Sequence, residues 1–224
     1  MRSGNPALND KTFEGLEASQ EAMTLEGTVN KTALLLLLVV LTASWTWERT
    51  LQAESPAQIA PYILIGALGG FVVGLITIFA KRTAGYTAPA YALLEGLALG
   101  GLSALFEMKY PGIVLQAVGL TFGTLFCMLG AYRSGLIKPT ENFKLGVVAA
   151  TGGIAVLYLV DLGLSVFLGQ HVPFIHESGP LGIAFSVFVV IIAALNLVLD
   201  FDFIETGVEN GSPKYMDWNK TTLI

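Results

Sequence analysis

The sequence predicts an all-α protein, a polytopic bundle of transmembrane helices. Of its 224 residues, 54% are hydrophobic and only 13% are charged, whereas a soluble domain typically carries about 25% charged residues. Six separate apolar segments are each long enough to cross the bilayer, since roughly 20 helical residues span the hydrocarbon core. The alternation of apolar and polar residues that is typical of a membrane barrel is absent from these segments.

The six segments follow one another with short connections, which leave no room for a separate soluble domain. They are Val29–Trp47, Ala60–Ala80, Ala88–Phe106, Gly112–Tyr132, Phe143–Gly169 and Pro180–Leu199. We predict one transmembrane bundle over residues 29–205, a flexible N-terminal tail over residues 1–28, and a short polar C-terminal tail over residues 206–224. The single cysteine, Cys127, excludes an intrachain disulfide and is interpreted as an apolar packing residue.

The distribution of basic residues predicts the orientation in the membrane. If the N-terminus is cytoplasmic, ten of the twelve Lys and Arg residues fall on the inner side, and only Arg49 and Lys109 fall on the outer side. The opposite orientation would invert this ratio and would break the positive-inside rule. We therefore predict that the N-terminus is cytoplasmic and that six spans return the C-terminus to the same side.

Glycines predict where the helices pack closely, because lipid supplies no hydrophobic force between helices and small residues permit close contact. They recur at four-residue spacing in the second and fourth segments and cluster in the third: Gly66, Gly70 and Gly74; Gly119 and Gly123; Gly96, Gly100 and Gly101. We interpret all of them as packing positions, with a hinge as the alternative.

Acidic residues inside apolar segments are the strongest functional signal. A carboxylate in hydrocarbon costs at least about 2.5–3.5 kcal/mol, so it is expected to be protonated, paired or facing a wet cavity. Glu95 lies in the third segment, Asp161 lies deep in the fifth, and Asp200 and Asp202 lie at the inner end of the sixth. We predict that Glu95 and Asp161 are functional. For the Asp200 and Asp202 cluster, a solvated helix end is the alternative.

The end of the sixth segment could bind a cation or a proton. Asn196 and Asp200 are four residues apart and share a helix face, whereas Asp202 lies about 200° further round than Asp200. Which of the two acids faces inward stays open, although Asn196 favours Asp200. Carboxylate and amide oxygens suit Ca²⁺, and two close carboxylates titrate as a unit, as a pH switch requires. A nearby cation such as Arg82 would latch the site.

Other chemistry has weaker support in the sequence. The outer loop HVPFIHESGP could bind a metal through His171, His176 and Glu177, but two histidines in a loop are a poor signal and a solvated loop is favoured. Nucleophile, phosphate-binding and zinc-protease motifs are absent from the sequence, and so is any nucleic-acid signature. We therefore expect neither an enzyme nor a cofactor, nor a nucleic-acid partner.

Five stretches carry a resemblance to a known family. They are MRSGNPAL at the start, MTLEGTVNKT before the first span, YALLEGLALGGLS in the third, PFIHESGPLGIAFSVFVVIIAALNLVLDFDFIETG near the end, and GSPKYMDW after it. The chain resembles the bacterial branch of the Bax inhibitor/YccA family, also called the transmembrane Bax-inhibitor-motif family. The resemblance implies a bacterial inner-membrane protein that resembles pH-sensitive calcium leak channels.

The resemblance also implies roles for particular residues. In the family a carboxylate at the inner end of the sixth helix pairs with one in a central seventh helix, and the protonation of this pair gates the pore. By motif position Asp200 or Asp202 matches the sixth-helix acid, and Arg82 is the nearest candidate for the basic latch of the second helix. The bacterial relatives continue after KYMDW into the seventh span, whereas here NKTTLI follows.

We therefore expect six spans without the seventh helix, a C-terminal tail truncated relative to the family, and pairing of Asp200 with Glu95 as an alternative. Two functional hypotheses follow. The first is a pH-gated calcium or cation leak with Asp200 or Asp202 as the gate and with Glu95 and Asp161 along the path. The second is a non-transporting membrane protein that binds a partner such as a membrane protease.

Overall fold

The computed structural model describes residues 22–173, 175 and 179–223, and these residues form seven α-helices joined by short turns. The helices are α1 (Leu25–Gln52), α2 (Pro56–Phe79), α3 (Ala84–Lys109), α4 (Ile113–Arg133), α5 (Glu141–Leu168), α6 (Pro180–Glu209) and α7 (Met216–Leu223). The 3-10 turn Lys81–Thr83 joins α2 to α3. The described residues contain no β-strand, and an isolated antiparallel bridge joins Ala22 to Pro213.

The predictions of an all-α fold and of six spans are confirmed. In the described part of the chain, α1 to α6 are each long and apolar enough to cross a membrane, so the protein is an integral multi-pass membrane protein in contact with lipid. Each helix extends beyond its predicted apolar segment at one end or at both, and α6 continues from the predicted end at Leu199 to Glu209. The reason is that hydropathy marks the hydrocarbon depth, whereas backbone hydrogen bonding continues past it.

The structure describes only part of the two predicted tails. Most of residues 1–28 lies outside the described residues, and within that range α1 begins at Leu25. Residues 206–224 hold the last turn of α6 and the short helix α7.

Local sequence signals explain where several helices begin and end. Thr24 caps α1 by accepting a hydrogen bond from the Gly27 N–H at 2.9 Å, and Thr140 caps α5 by accepting from the Phe143 N–H at 3.3 Å. These side chains satisfy backbone donors that have no partner inside the helix. Gly169 ends α5 with φ at +63°, a left-handed conformation that favours glycine.

The described residues divide into two compact units. The α5–α6 unit contains residues 122–203, and the α1–α3 unit contains residues 22–121 together with 204–223. The first unit holds most of α4 to α6, and the second holds α1 to α3 with α7.

Glycine packing holds the α1–α3 unit together, with α3 in contact with both α1 and α2. A Cβ atom added at Gly96 of α3 would lie 2.5 Å from the carbonyl oxygen of Val39 in α1. A Cβ atom added at Gly66 of α2 would lie 2.6 Å from the backbone nitrogen of Ala98 in α3. Neither distance is possible for a real side chain, so the packing interpretation of these glycines is confirmed.

The glycines of α4 behave differently. At Gly119 and Gly123 no described atom lies within 4 Å of the position that a Cβ atom would take, and α4 has no buried residue among those described. The predicted close packing is therefore not seen here. Four-residue spacing of small residues predicts a face suited to helix contact, but it does not say which neighbour covers that face.

We expect the substitution Gly96→Ala to lower the stability of the protein by about 1–3 kcal/mol, because the added methyl group overpacks the α1–α3 contact. Thermal unfolding in detergent micelles, followed by far-ultraviolet circular dichroism, measures the effect as a lower midpoint. Gly119→Ala is the matched control, since its methyl group meets open space. Equal midpoints for the two variants would contradict the packing role of Gly96.

Candidate functional site

An ion pair joins the start of α5 to the end of α6. The Lys144 Nζ atom lies 2.6 Å from a carboxylate oxygen of Asp202, and the two side chains are only 11% and 21% exposed. Lys144 also lies 3.7 Å from the Glu141 carboxylate, which is 61% exposed and interacts weakly in water. Consecutive antiparallel helices with a short connection place these two helix ends on the same side of the unit.

A second polar contact lies further along the same two helices. The side-chain amide of Asn196 donates to the Thr151 hydroxyl oxygen at 2.8 Å and to the Ile192 carbonyl oxygen at 2.9 Å. Lys144, Thr151, Asn196 and Asp202 therefore form a polar seam between α5 and α6. Asn196 faces this seam, and its amide protons do not support Asp200 as the sequence suggested.

Asp200 differs from Asp202 in its surroundings. Its side chain is half-buried, and it makes no hydrogen bond or ion pair with the residues that the structure describes. Asp200 lies about 200° round the helix from Asp202, on the helix face that it shares with Asn196. Of these two acids of α6, Asp202 is paired and Asp200 has no described partner.

Asp161 lies at the other end of the α5–α6 unit and is only 5% exposed. One carboxylate oxygen accepts a hydrogen bond from the Val172 N–H at 2.7 Å, and the other lies 3.4 Å from His171 Nδ1. The left-handed turn at Gly169 returns the chain so that these groups reach Asp161. Asp161 therefore holds the segment that follows α5 through hydrogen bonds. Its place on an ion path stays a prediction.

The suggested metal site in the same loop is not tested by the structure. His176 and Glu177 lie outside the described residues, and the described residues contain no cluster of three metal-ligating side chains.

Glu95 and Arg82 belong to the α1–α3 unit. A Cβ atom at Gly70 would lie 3.3 Å from the Glu95 carboxylate, so the acid occupies space that this glycine leaves open between α2 and α3. Arg82 is exposed on the 3-10 turn and forms no ion pair with a described acid, so its role as a latch stays a prediction.

Comparison with known proteins places the chain in a family. A family profile described as Bax inhibitor 1 like matches residues 5–221. The chain belongs to the Bax inhibitor 1 like family. The predicted membership of the Bax inhibitor family is thereby confirmed, whereas the bacterial branch stays a prediction. Searches of curated proteins and of solved structures gave no match.

Two members of the polar seam were missed from the sequence of this Bax inhibitor 1 like protein. Lys144 was counted only as an inner-side charge, and Thr151 was not singled out. The predicted topology contained a signal for this contact, because the start of the fifth span and the end of the sixth must lie on the same side of the membrane. A lone lysine in ENFKLGVV was therefore a candidate partner for the acids of LDFDFIE.

We expect Lys144→Met to lower the free energy of unfolding by about 1–3 kcal/mol, because it leaves the largely buried Asp202 carboxylate unpaired. The double variant Lys144→Met with Asp202→Asn should regain part of this loss. Lys138→Met is the matched control, since Lys138 is exposed and the same charge is removed. Unfolding in mixed detergent measures all three, and equal losses for Lys144 and Lys138 would show that the ion pair contributes nothing.

Proposed function

We propose that this protein is a pH-sensitive cation leak channel, with Ca²⁺ as the favoured ion. The observation that supports the proposal is the pair of acids at the end of α6, of which Asp202 is paired with Lys144 and Asp200 has no described partner. Family membership supports the proposal further. The chain belongs to the Bax inhibitor 1 like family, and the sequence resemblance implies that characterised members of this family are calcium leak channels.

The two acids of α6 are the proposed pH-sensitive element, with Asp200 or Asp202 as the gate. Lys144 holds Asp202 in an ion pair, whereas Asp200 is half-buried and no described cation stabilises its charge. The contact between Asn196 and Thr151 is neutral and does not change with pH. Proton binding at the gate should therefore alter the charge at this end of α6, and the leak should depend on pH.

Asp200 is the proposed cation ligand. A half-buried carboxylate without a partner has oxygen atoms free to coordinate a hard cation such as Ca²⁺. Glu95 and Asp161 are proposed to lie along the path, in accordance with their positions inside apolar helices, where ionisable groups are usually functional. We further propose a cytoplasmic N-terminus in a bacterial inner membrane, in agreement with the ten basic residues on that side.

The test is calcium uptake into proteoliposomes at pH 6 and pH 8. The flux through the unmodified protein should differ between the two pH values. Asp200→Asn or Asp202→Asn should flatten this dependence, since each removes one of the two candidate gating acids.

Two matched variants control for loss of charge alone. Glu209→Gln removes an exposed acid from the same helix, and Lys138→Met removes an exposed lysine that precedes α5. Both should retain the pH dependence of the unmodified protein. An unchanged pH dependence in both Asp200→Asn and Asp202→Asn would sink the proposal.

The second hypothesis, a non-transporting protein that binds a membrane partner such as a protease, has its own support. At Gly119 and Gly123 of α4, no described atom lies within 4 Å of the position that a Cβ atom would take. Small residues at this spacing permit close contact with a helix of another protein. This hypothesis predicts no flux from folded protein at either pH.

A pull-down with membrane-bound proteases tests this second hypothesis. Gly119→Leu with Gly123→Leu should remove binding because the bulky side chains block a close helix contact, whereas Asp200→Asn should leave it intact. Binding that survives both leucines would exclude α4 as the contact surface.

A further inference from the structure

Two of the sequence stretches that carry the family resemblance meet in the α1–α3 unit. MTLEGTVNKT supplies the start of α1, and GSPKYMDW supplies the turn before α7 and its first residues. We call the contact between residues 22–31 and residues 212–219 the terminal junction. The proposed cation flux uses none of its residues.

Backbone and apolar contacts form one side of the terminal junction. The Met23 N–H donates to the Ser212 carbonyl oxygen at 2.6 Å, next to the bridge between Ala22 and Pro213. The Met23 and Met216 side chains are 2% and 0% exposed and pack together. The chain before α1 is thus attached to the chain before α7.

A buried carboxylate forms the other side of the terminal junction. Asp217, which is 1% exposed, pairs with Lys31 of α1. It also accepts hydrogen bonds from the Thr24 N–H at 3.3 Å and from the Thr28 hydroxyl at 3.4 Å. Lys31 lies 5.4 Å from the centre of the Trp218 ring, a favourable cation–π distance. All the hydrogen bonds and the ion pair described for the Asp217 carboxylate therefore come from the first two turns of α1 and its cap.

Gly27 makes this approach sterically possible. A Cβ atom at Gly27 would lie 2.7 Å from an Asp217 carboxylate oxygen, so any larger residue displaces the acid. Asn219, the next buried polar residue of α7, donates to the Thr77 carbonyl oxygen in α2 at 2.7 Å. The helix α7 also contacts α3 and the 3-10 turn that carries Arg82. One short helix therefore ties together the ends of α1, α2 and α3.

We propose that the terminal junction is a conformational lock that opens as one unit, with Asp217 as the group that holds it closed. The Asp217 contacts, the backbone hydrogen bond of Met23 and the Met23–Met216 contact form the lock. Glycine packing holds α1, α2 and α3 to one another, so the two sets of contacts involve different residues. Opening of the lock releases α7 from the Thr77 carbonyl oxygen and from the 3-10 turn, and leaves the α1–α3 packing in place.

Hydrogen–deuterium exchange of the full chain in lipid nanodiscs, followed by mass spectrometry, tests the proposal. Three variants open the lock in different ways: Asp217→Asn and Lys31→Met remove one charge each, and Gly27→Ala displaces the carboxylate without a change of charge. In each, we expect amide exchange in residues 23–28 and 216–223 to accelerate together, on the order of a hundredfold. Exchange within residues 92–104 of α3 should stay unchanged.

Two control variants should exchange as the unmodified protein does. Gly85→Ala adds a methyl group 3.9 Å from Trp218, an ordinary contact distance, and Lys109→Met removes an exposed lysine that lies beside a tyrosine ring. Acceleration confined to only one of the two junction segments would overturn the proposal, because the lock would not open as a unit. Equal acceleration in α3 would also overturn it, since the junction would then be part of the core.

Discussion

This structure depends on one constraint: its helices must pack closely although no hydrophobic attraction draws them together. Surrounding lipid is as apolar as leucine, so a helix gains little from burying apolar surface against another helix. The α1–α3 unit meets the constraint with glycines such as Gly66 and Gly96, which bring backbones into contact. The α5–α6 unit meets it with polar groups, through the Lys144–Asp202 ion pair and the hydrogen bond from Asn196 to Thr151.

The same constraint explains why buried acids in this protein have polar or charged partners. Asp161, Asp202 and Asp217 are each buried or largely buried, and each accepts hydrogen bonds or pairs with a cation from another segment. Each therefore joins two parts of the chain at a helix end. Asp200 departs from this pattern among the acids of α6, since no described group compensates its charge. We therefore expect Asp200 to be functional, because a carboxylate whose charge no described group compensates is available to a ligand.

The family motifs acquire a physical meaning from the fold. MTLEGTVNKT and GSPKYMDW are nearly 180 residues apart in the sequence, yet Gly27 leaves the space that the Asp217 carboxylate occupies. Thr24, Thr28 and Lys31 supply the donors that this carboxylate requires. The spacing of these residues along one face of α1 follows from the helical repeat. The motifs are thus the two halves of one contact.

The sequence by itself determined the membrane class, the six spans and the glycine contacts of α2 and α3, because apolar length and small-residue spacing are local properties. It also identified the acids at the end of α6. Only the tertiary structure decided which acid is paired, since the partner Lys144 lies 58 residues away from Asp202 on another helix. The open face of Gly119 and the burial of Asp217 were likewise decided by neighbours distant in the sequence. Periodicity shows which residues share a face, but packing alone shows what that face meets.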